Sequence, residues 1–289
     1  MLKIPDHQVA GHEAGVGKLG PLIDDSGRFY KPLQSDARGS EEVKFYESFS
    51  SNTNVPDIIR KFFPIYHGTK VMKASTGTEH PHIILQDLAS SRVNPSIMDI
   101  KIGSRTWAPE ASEAYIVKCL KKDRESTSVP LGFRLSGLRV YTNDESGFYK
   151  PDRDIVRKAD PNDVRVFLRK FVSSNPSAEM DADVDCLLAC SVYGGTNGIL
   201  AQLLELKAWF ENQTVYHFYA CSLLFMYEKG LVSKGGSSNA EVKLIDFAHV
   251  TEGNGVIDHN FLGGLCSLIK FISDILAETK DHSLTNGQI

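Results

Sequence analysis

The fold of this chain is decided by the stretch Pro-Ser-Ile-Met-Asp-Ile-Lys-Ile-Gly at residues 95–103. Apolar and polar side chains alternate along it, which is the period of a β-strand. Asp99 and Lys101 are two residues apart, so an extended strand points both to the same side. Spacing alone favours a simple ion pair, worth less than about 1 kcal/mol, over two groups that face a ligand. The opposite side is predicted to face a core: Met98, Ile100 and Ile102.

Two distant stretches carry further charges of the kind that phosphoryl transfer requires. Phe-Tyr-Lys-Pro at 29–32 places Lys31 on an early strand, and Leu-Ile-Asp-Phe-Ala-His at 244–249 places Asp246 at the end of an apolar one. A fixed ammonium can hold nucleotide phosphates, and a carboxylate suits Mg²⁺, a hard cation that prefers oxygen ligands. Taken singly, each residue more often has no role in binding phosphate or metal, since a strand lysine is usually solvated and an aspartate at the end of a strand usually caps a turn.

The composition excludes several classes of protein. The chain has 289 residues with 32 Lys and Arg against 36 Asp and Glu, and this net charge of −4 argues against broad nucleic-acid binding. The five cysteines form no CxxC pair and are expected to be reduced thiols of an intracellular protein. The N-terminus is too polar for a signal peptide. The most apolar stretch, 261–276, contains Lys270 and Asp274 and predicts a buried amphipathic helix, so no membrane span is expected.

Local patterns predict alternating strands and helices. A turn at 25–27 predicts a hairpin, and Ser40 is predicted to cap a helix at 40–49. Residues 147–153 are predicted to form a turn, and 278–289 a frayed polar end. Strands are predicted at 65–72, 82–88, 131–142, 215–228 and 241–250. Further helices are predicted at 108–122, 160–171, 181–190 and 198–210.

The spacing Pro95-x-x-x-Asp99-x-Lys101-x-Gly103 resembles the signature of the inositol polyphosphate kinase family. Other blocks resemble that family in the same order, from about residue 7 to residue 275. The opening block and the compact length favour its multikinase branch, with similarity to the short plant members. The resembling blocks are His-Gln-Val-Ala-Gly-His at 7–12, Tyr-Lys-Pro-Leu-Gln at 30–34, Arg38-Gly-x-x-Glu42 before Phe45-Tyr46, Leu-Arg-Val-Tyr at 138–141, Ala-Cys-Ser-Leu-Leu at 220–224 and Ile-Asp-Phe-Ala-His at 245–249.

The resemblance implies an α+β, two-lobed fold like that of protein kinases. An antiparallel, β-rich N-lobe that binds ATP is expected at 1–88, and a larger α/β C-lobe at 89–277. The inositol phosphate-binding segment is expected at about 104–125, and a flexible tail at 278–289.

The resemblance also implies how ATP and Mg²⁺ are held. Lys31 is expected to contact the nucleotide phosphates and to pair with Glu42. Asp246 is expected to bind Mg²⁺. The hinge between the lobes is expected at Gln86, Asp87 and Leu88, with its backbone binding adenine and the Asp87 side chain reaching polar groups of the nucleotide. Gln86 stands where other members often have an acidic residue.

Catalysis and substrate binding are assigned in the same way. Asp99 corresponds to an essential carboxylate that either accepts the inositol hydroxyl proton or orients the ribose and the substrate. Lys101 is expected to steady the transferring phosphoryl group, and Arg38 and His249 to contact substrate phosphates. Three lysines at i, i+3 and i+4 of a helix share one face; spacing alone favours a solvated surface, and the resemblance favours phosphate contact. These are Lys118, Lys121 and Lys122.

The implied function is transfer of the ATP γ-phosphoryl group to hydroxyls of inositol 1,4,5-trisphosphate and inositol tetrakisphosphates, giving inositol pentakisphosphate. The alternatives are a narrower trisphosphate 3-kinase, a hexakisphosphate kinase, or a nuclear interaction protein on a kinase fold. A monomer in the nucleus and cytoplasm is expected from the resemblance. Tyr115 stands where other members often have a basic residue, which bears on the phosphate pattern.

Overall fold

The computed structural model describes residues 1–11, 14–15, 17–176, 184–232 and 237–285, with side chains up to Thr279. The first part of the chain forms an antiparallel sheet in the order β1-β2-β4-β3, with helices after its second strand. Its elements are β1 (Leu22–Ile23), β2 (Arg28–Pro32), α1 (Ala37–Ser51), α2 (Asp57–Arg60), β3 (Tyr66–Lys73) and β4 (Glu79–Gln86).

The rest of the described chain forms a second antiparallel sheet in the order β10-β9-β5-β6-β7, a small β11-β8 pair, and helices around them. Its strands are β5 (Ser96–Ile102), β6 (Phe133–Tyr141), β7 (Phe148–Tyr149), β8 (Tyr216–Phe218), β9 (Ser222–Tyr227), β10 (Glu241–Ile245) and β11 (Val250–Glu252). Its helices are α3 (Glu113–Arg124), α4 (Ser128–Leu131), α5 (Arg153–Arg157), α6 (Pro161–Phe171), α7 (Ala189–Val192), α8 (Ile199–Phe210), α9 (Lys229–Val232) and α10 (His259–Thr285).

The hairpin between β1 and β2 is confirmed, and Asp24 holds its turn. The Asp24 carboxylate accepts hydrogen bonds from the Ser26 N–H at 2.9 Å and from the Tyr30 hydroxyl at 2.8 Å. Gly27 has a φ of +78°, a conformation that costs glycine little. The strands predicted around 65–72, 82–88 and 131–142 and the helices at 160–171 and 198–210 are confirmed within a few residues.

Helix α1 begins earlier than predicted, and Asp36 rather than Ser40 caps it. The Asp36 side chain accepts from the Arg38 N–H, whereas the Ser40 hydroxyl donates to the Ala37 carbonyl inside the helix. A Cβ on Gly39 would lie 2.4 Å from the Gln34 carbonyl oxygen, so only glycine permits so early a start. The earlier start places the predicted site residue Arg38 on the helix itself, one turn before Glu42.

Other boundaries differ for local reasons. Helix α3 starts at Glu113 instead of 108, because Ser112 caps it through the Tyr115 N–H. The predicted turn at 147–153 contains strand β7 and ends in helix α5, which Asp152 caps. The helix predicted at 181–190 lies partly outside the described residues, and the described part is helical only from Ala189. The predicted tail is helical from 278 to 285.

Helix α10 is long and apolar enough to cross a membrane by length and composition alone, over His259–Thr279. The structure uses it as a core helix, as predicted for 261–276. Lys270 and Asp274 form an exposed pair at 2.9 Å on its outer face. The fully buried residues of its inner face are Phe261, Leu265, Leu268, Ile272 and Ile275.

One continuous hydrophobic core joins the two sheets. Phe45 on α1 stacks on Phe247, just after β10, with ring centroids 4.4 Å apart. The predicted inner face of β5 lies in this core, since Met98, Ile100 and Ile102 are fully buried. The two sheets therefore pack firmly on each other beside the cavity that they enclose.

Candidate active site

A large cavity opens between the two sheets, with a volume of about 1770 Å³. Pockets for one drug-sized ligand span about 300–1,000 Å³, so this cavity has room for two. Lys31, Asp99 and Asp246 all line it. Three distant stretches of the sequence thus meet at one site, as the motifs predict.

Lys31 is held by two carboxylates. Its Nζ lies 2.8 Å from Glu42 Oε1, which is the predicted pair, and 2.9 Å from Asp246 Oδ1. Burial opposes the charge, but the two carboxylates outweigh it and raise the pKa of Lys31. Glu42 also accepts from the Phe247 N–H at 3.4 Å, so it anchors the lysine and the end of β10 together. The ammonium is fixed before any phosphate arrives.

Asp246 stands at the end of β10 with a φ of +69°, a region that residues other than glycine rarely adopt. Such strain is typical of functional sites. The side chain is 42% exposed, toward the cavity that it lines. Removal of the carboxylate from water acts to raise the pKa of Asp246. The positive charges of Lys31 and Lys101 outweigh this effect and lower the pKa to about 2. An ionised, accessible carboxylate suits Mg²⁺, which takes one or two carboxylates together with phosphate oxygens and water.

No cluster of three or more His, Cys, Asp or Glu side chains that could hold a metal ion occurs among the described residues. A metal held only by protein ligands is therefore not indicated in the described part of the chain. A cation shared between Asp246 and nucleotide phosphates fits the residues present.

Asp99 lies deeper, on β5, and is only 4% exposed. Its Oδ1 atom is buried and has no hydrogen-bond partner among the described residues. Burial, together with the nearby Asp246, raises the pKa of Asp99 to about 6, although Lys101 acts against this rise. A buried carboxyl oxygen without a partner, at the wall of a cavity, is suited to a ligand hydroxyl.

Lys101 does not form the ion pair with Asp99 that spacing alone favours. Its Nζ instead donates to the Ala220 carbonyl oxygen at 2.6 Å. Ala220 itself has a φ of +54°, a second strained residue at the site. The ion-pair interpretation is wrong because the loop before β9 offers the ammonium a closer acceptor.

The predicted hinge residues Gln86, Asp87 and Leu88 all line the cavity. The Asp87 N–H donates to the Gly27 carbonyl at 2.8 Å, which ties the hinge to the β1–β2 turn. The Asp87 carboxylate is buried, accepts from the Ala89 N–H at 3.1 Å and lies 3.4 Å from His7 Nε2. That carboxylate is thus already engaged by protein groups, and its part in nucleotide binding remains a prediction.

Of the three lysines predicted on α3, only Lys122 lines the cavity. Lys118 and Lys121 are exposed and are not among its lining residues, so the structure does not bring them to the site. Helical spacing predicts a shared face but not its direction. That direction is set by packing, because Asp123 is buried and accepts from Thr106 and from Arg134.

Arg38 and His249 both line the cavity. Arg38 is bound by Asp36, with Nη2 to Oδ2 at 2.7 Å, so an incoming anion must compete for it. His249 stacks on Tyr115 and its Nε2 lies 2.9 Å from the Tyr115 hydroxyl. Burial, with Arg38 and Lys101 nearby, lowers the pKa of His249 and favours a neutral ring.

Sequence reasoning missed several cations that line the same cavity from β6 and α5. The signal was present, since two arginines at i and i+4 follow a capping aspartate at 152. Their short helix was instead interpreted as part of a turn. The missed residues are Arg134, Arg153, Arg157 and Lys158.

Comparison with known proteins gives one consistent result. A family model described as inositol polyphosphate kinase matches residues 82–273. The chain is 56% identical over 295 residues to inositol polyphosphate multikinase beta of Arabidopsis thaliana, covering 100% of this chain and 98% of the relative. It is 58% identical over 284 residues to the alpha form, covering 98% of each. A human inositol polyphosphate multikinase is 29% identical over 243 residues, covering 83% of this chain and 53% of that protein.

Solved structures agree. A structure from structural and engineering studies of an inositol phosphate multikinase has a TM-score of 0.70 and 55% identity, covering 81% of this chain and 99% of the other. An inositol phosphate multikinase of S. cerevisiae, solved with ADP and Mn²⁺, has a TM-score of 0.66 at 18% identity, covering 86% and 99%. The likeness confirms the predicted α+β, kinase-like fold.

Proposed function

This chain belongs to the inositol polyphosphate kinase family and is an ATP-dependent kinase of inositol phosphates, and we propose that its acceptors are inositol 1,4,5-trisphosphate and inositol tetrakisphosphates. The end product is an inositol pentakisphosphate. The observation that carries the proposal is the meeting of Lys31, Asp99 and Asp246 in one cavity that also presents cations for a second, anionic ligand.

The chain's own groups divide the work of transfer. Lys31, fixed by Glu42 and Asp246, binds the nucleotide phosphates. Asp246 would hold Mg²⁺ together with the nucleotide phosphates, and the ion would supply charge neutralisation. Asp99, which lines the cavity, acts on the acceptor hydroxyl as a base or as an orienting group. Lys101 steadies the transferring group from the same strand.

The acceptor is placed against the cationic side of the cavity. Each ammonium or guanidinium there meets an anion when an inositol with several phosphates binds, which offsets the repulsion among the cations. The segment at 104–125 is short and leaves the site open, which supports a substrate that binds in several orientations. The cationic side chains on this side of the cavity are Arg38, Lys122, Arg134, Arg157 and Lys158.

The narrower alternatives are less well supported. Inositol trisphosphate 3-kinases and hexakisphosphate kinases share the strand motif, whereas the relatives with 50% or greater identity are named multikinases. Among the described residues, no feature favours a role as a nuclear interaction protein, and the charges that phosphoryl transfer requires line the cavity. A monomer in the nucleus and cytoplasm completes the proposal and rests on the family resemblance alone.

A product assay tests the proposal. The purified chain is incubated with ATP, Mg²⁺ and one acceptor at a time, and the products are separated by anion-exchange chromatography. We expect inositol 1,4,5-trisphosphate to pass through tetrakisphosphate to pentakisphosphate, and inositol hexakisphosphate to remain unchanged. A reaction that stops at tetrakisphosphate, or a pyrophosphate made from the hexakisphosphate, would replace the proposal with a narrower enzyme.

Lys122→Gln is expected to raise the KM for inositol trisphosphate about tenfold, because a charge-assisted contact to phosphate is lost, while the KM for ATP stays unchanged. The matched control is Arg124→Gln on the same helix, where an exposed cation outside the cavity is removed. Initial rates at varied acceptor and varied ATP measure both constants. Equal effects of the two substitutions would show that only the general charge of the helix matters.

A further inference from the structure

The chain segment Asp6–Gly11, called here the N-terminal strap, crosses from one sheet to the other. Before it, Lys3 pairs with Ile23, on β1 of the first sheet, through two backbone hydrogen bonds of 2.8 and 2.9 Å. Within it, the Asp6 carbonyl oxygen accepts from Arg139 Nη1 on β6 of the second sheet at 2.7 Å. The strap and the residues just before it are therefore hydrogen-bonded to both sheets, and the strap lines the cavity between them.

His7 connects the strap to the hinge. Its Nε2 lies 3.4 Å from Asp87 Oδ1, and the carboxylate is almost fully buried while the imidazole is 16% exposed. Asp87 in turn holds the Ala89 N–H with the same oxygen. A contact between two sheltered polar groups fixes their relative position, so the hinge backbone and the strap keep one arrangement.

Val9 connects the strap to the strand pair that carries the essential carboxylate. Val9 is buried in a small apolar cluster with Ile97 and Met226, apart from the main core. Its carbonyl oxygen lies so close to Gly137 that a Cβ there would be 1.9 Å away. Gly137 is the direct partner of Asp99 in the β5–β6 register, next to a bulge.

We propose that the N-terminal strap is a positioning element of the phosphoryl-transfer site, in which His7 sets the hinge and Val9 seats the strand pair that presents Asp99. His7 and Val9 act through other residues and are positioning residues. The strap thereby couples nucleotide binding to the placement of the Asp99 carboxylate, since one short segment contacts both the hinge and the β5–β6 strand pair. This inference rests on the proposed function for its catalytic half.

The test measures ADP affinity by calorimetry and kcat at saturating ATP for His7→Ala and Val9→Ala in the full chain. We expect both variants to bind ADP at least about threefold more weakly, and Val9→Ala also to lose about tenfold in kcat, because small misplacements of reacting groups are costly. Lys3→Ala is the matched control, because its exposed side chain contacts only Asp25 in the described structure and its backbone pairing is retained. Gly137→Ala, which pushes on Val9 from the other side, is expected to reproduce the Val9→Ala effect if it folds.

Thermal unfolding of each variant separates positioning from bulk stability. A strap that only stabilises the fold would lower the melting temperature and leave the ADP affinity and kcat of the folded protein unchanged. That outcome in both His7→Ala and Val9→Ala overturns the inference. ADP affinity does not depend on the acceptor, so a wrong acceptor would defeat the proposed function while still leaving the strap tested.

Discussion

Asp99→Asn is expected to lower kcat by about 10²–10⁴-fold, which is the range for a positioned proton acceptor. The substitution keeps the shape of the side chain and removes its charge. ADP affinity should change little, since Lys31 and its two carboxylates are untouched. Initial-rate assays with inositol trisphosphate, and calorimetry with ADP, measure the two quantities.

The same carboxylate predicts a pH profile. Burial raises the pKa of Asp99 to about 6, so the ionised form that accepts a proton is lost as pH falls below that value. We expect kcat/KM of the wild type to fall about tenfold per pH unit below pH 6, and Asp99→Asn to lack this limb. A wild-type profile flat from pH 7 to pH 5 would favour the other open interpretation, in which Asp99 only orients the ribose and substrate.

As pH rises, the contribution of Asp99 to stability should fall while activity increases. The unfolded carboxyl has a pKa of 3.8, so between about pH 4 and pH 6 the folded state holds the extra proton, and stability falls as pH rises through this window. Above pH 6 the buried carboxylate is ionised in the folded protein, which lowers the free energy of unfolding by about 3 kcal/mol for a pKa shift of this size. Asp99→Asn removes that cost and is expected to melt several degrees higher than wild type at pH 8, with no gain at pH 4.

Asp57→Asn is the control for these measurements, because its side chain is fully exposed on α2. It removes one negative charge from the surface and should alter neither kcat nor the pH profile. If Asp99→Asn behaved like Asp57→Asn in the rate assay, the assignment of Asp99 as the essential carboxylate would be wrong.

The sequence predicted the parts of the site that rest on strand periodicity. Strand β5 has its two faces as the alternation requires, with Met98 in the core and Asp99 and Lys101 at the cavity. The family resemblance added the Lys31–Glu42 pair, whose members are eleven residues apart and which no local pattern joins. Periodicity decides which side chains share a face, and resemblance decides which distant faces meet.

What the sequence did not predict depends on tertiary packing. Helical spacing grouped Lys118 and Lys121 with Lys122, but the burial of Asp123 turns α3 so that only Lys122 reaches the cavity. The α5 cations were missed because α5 has only five residues, and the arginine pair at i and i+4 after Asp152 was interpreted as part of a turn. The ammonium of Lys101 finds the Ala220 carbonyl, which is 119 residues away in the sequence.

Asp246→Asn is expected to lower kcat by about 10³-fold or more, because the carboxylate that suits Mg²⁺ is lost along with one partner of Lys31. Asparagine is the informative substitution here. Asp246 has a φ of +69°, and asparagine tolerates this left-handed region about as well as aspartate does, so the charge is removed without adding backbone strain. Alanine at this position would confound the two effects.

Rates measured over a Mg²⁺ titration test the prediction. We expect the deficit to persist at saturating Mg²⁺, since the missing group fixes the ion's position and not only its affinity. Asp144→Asn, an exposed site outside the cavity, is the control and should match wild type. Recovery of kcat to within tenfold of wild type at high Mg²⁺ would show that Asp246 contributes only to Mg²⁺ affinity and would contradict its role in fixing the ion's position.

The two carboxylates should also differ in the sign of their effect on stability. Removal from water would raise the pKa of Asp246, but Lys31 and Lys101 outweigh that effect and lower it to about 2. The ionised Asp246 therefore stabilises the folded state above about pH 4, and this stabilisation is lost as pH falls through 2. Asp246→Asn is therefore expected to melt below wild type at pH 8, where Asp99→Asn melts above it. One pair of melting curves at that pH distinguishes a carboxylate held by cations from one kept ready for a proton. Shifts of the same sign would contradict the roles assigned to both.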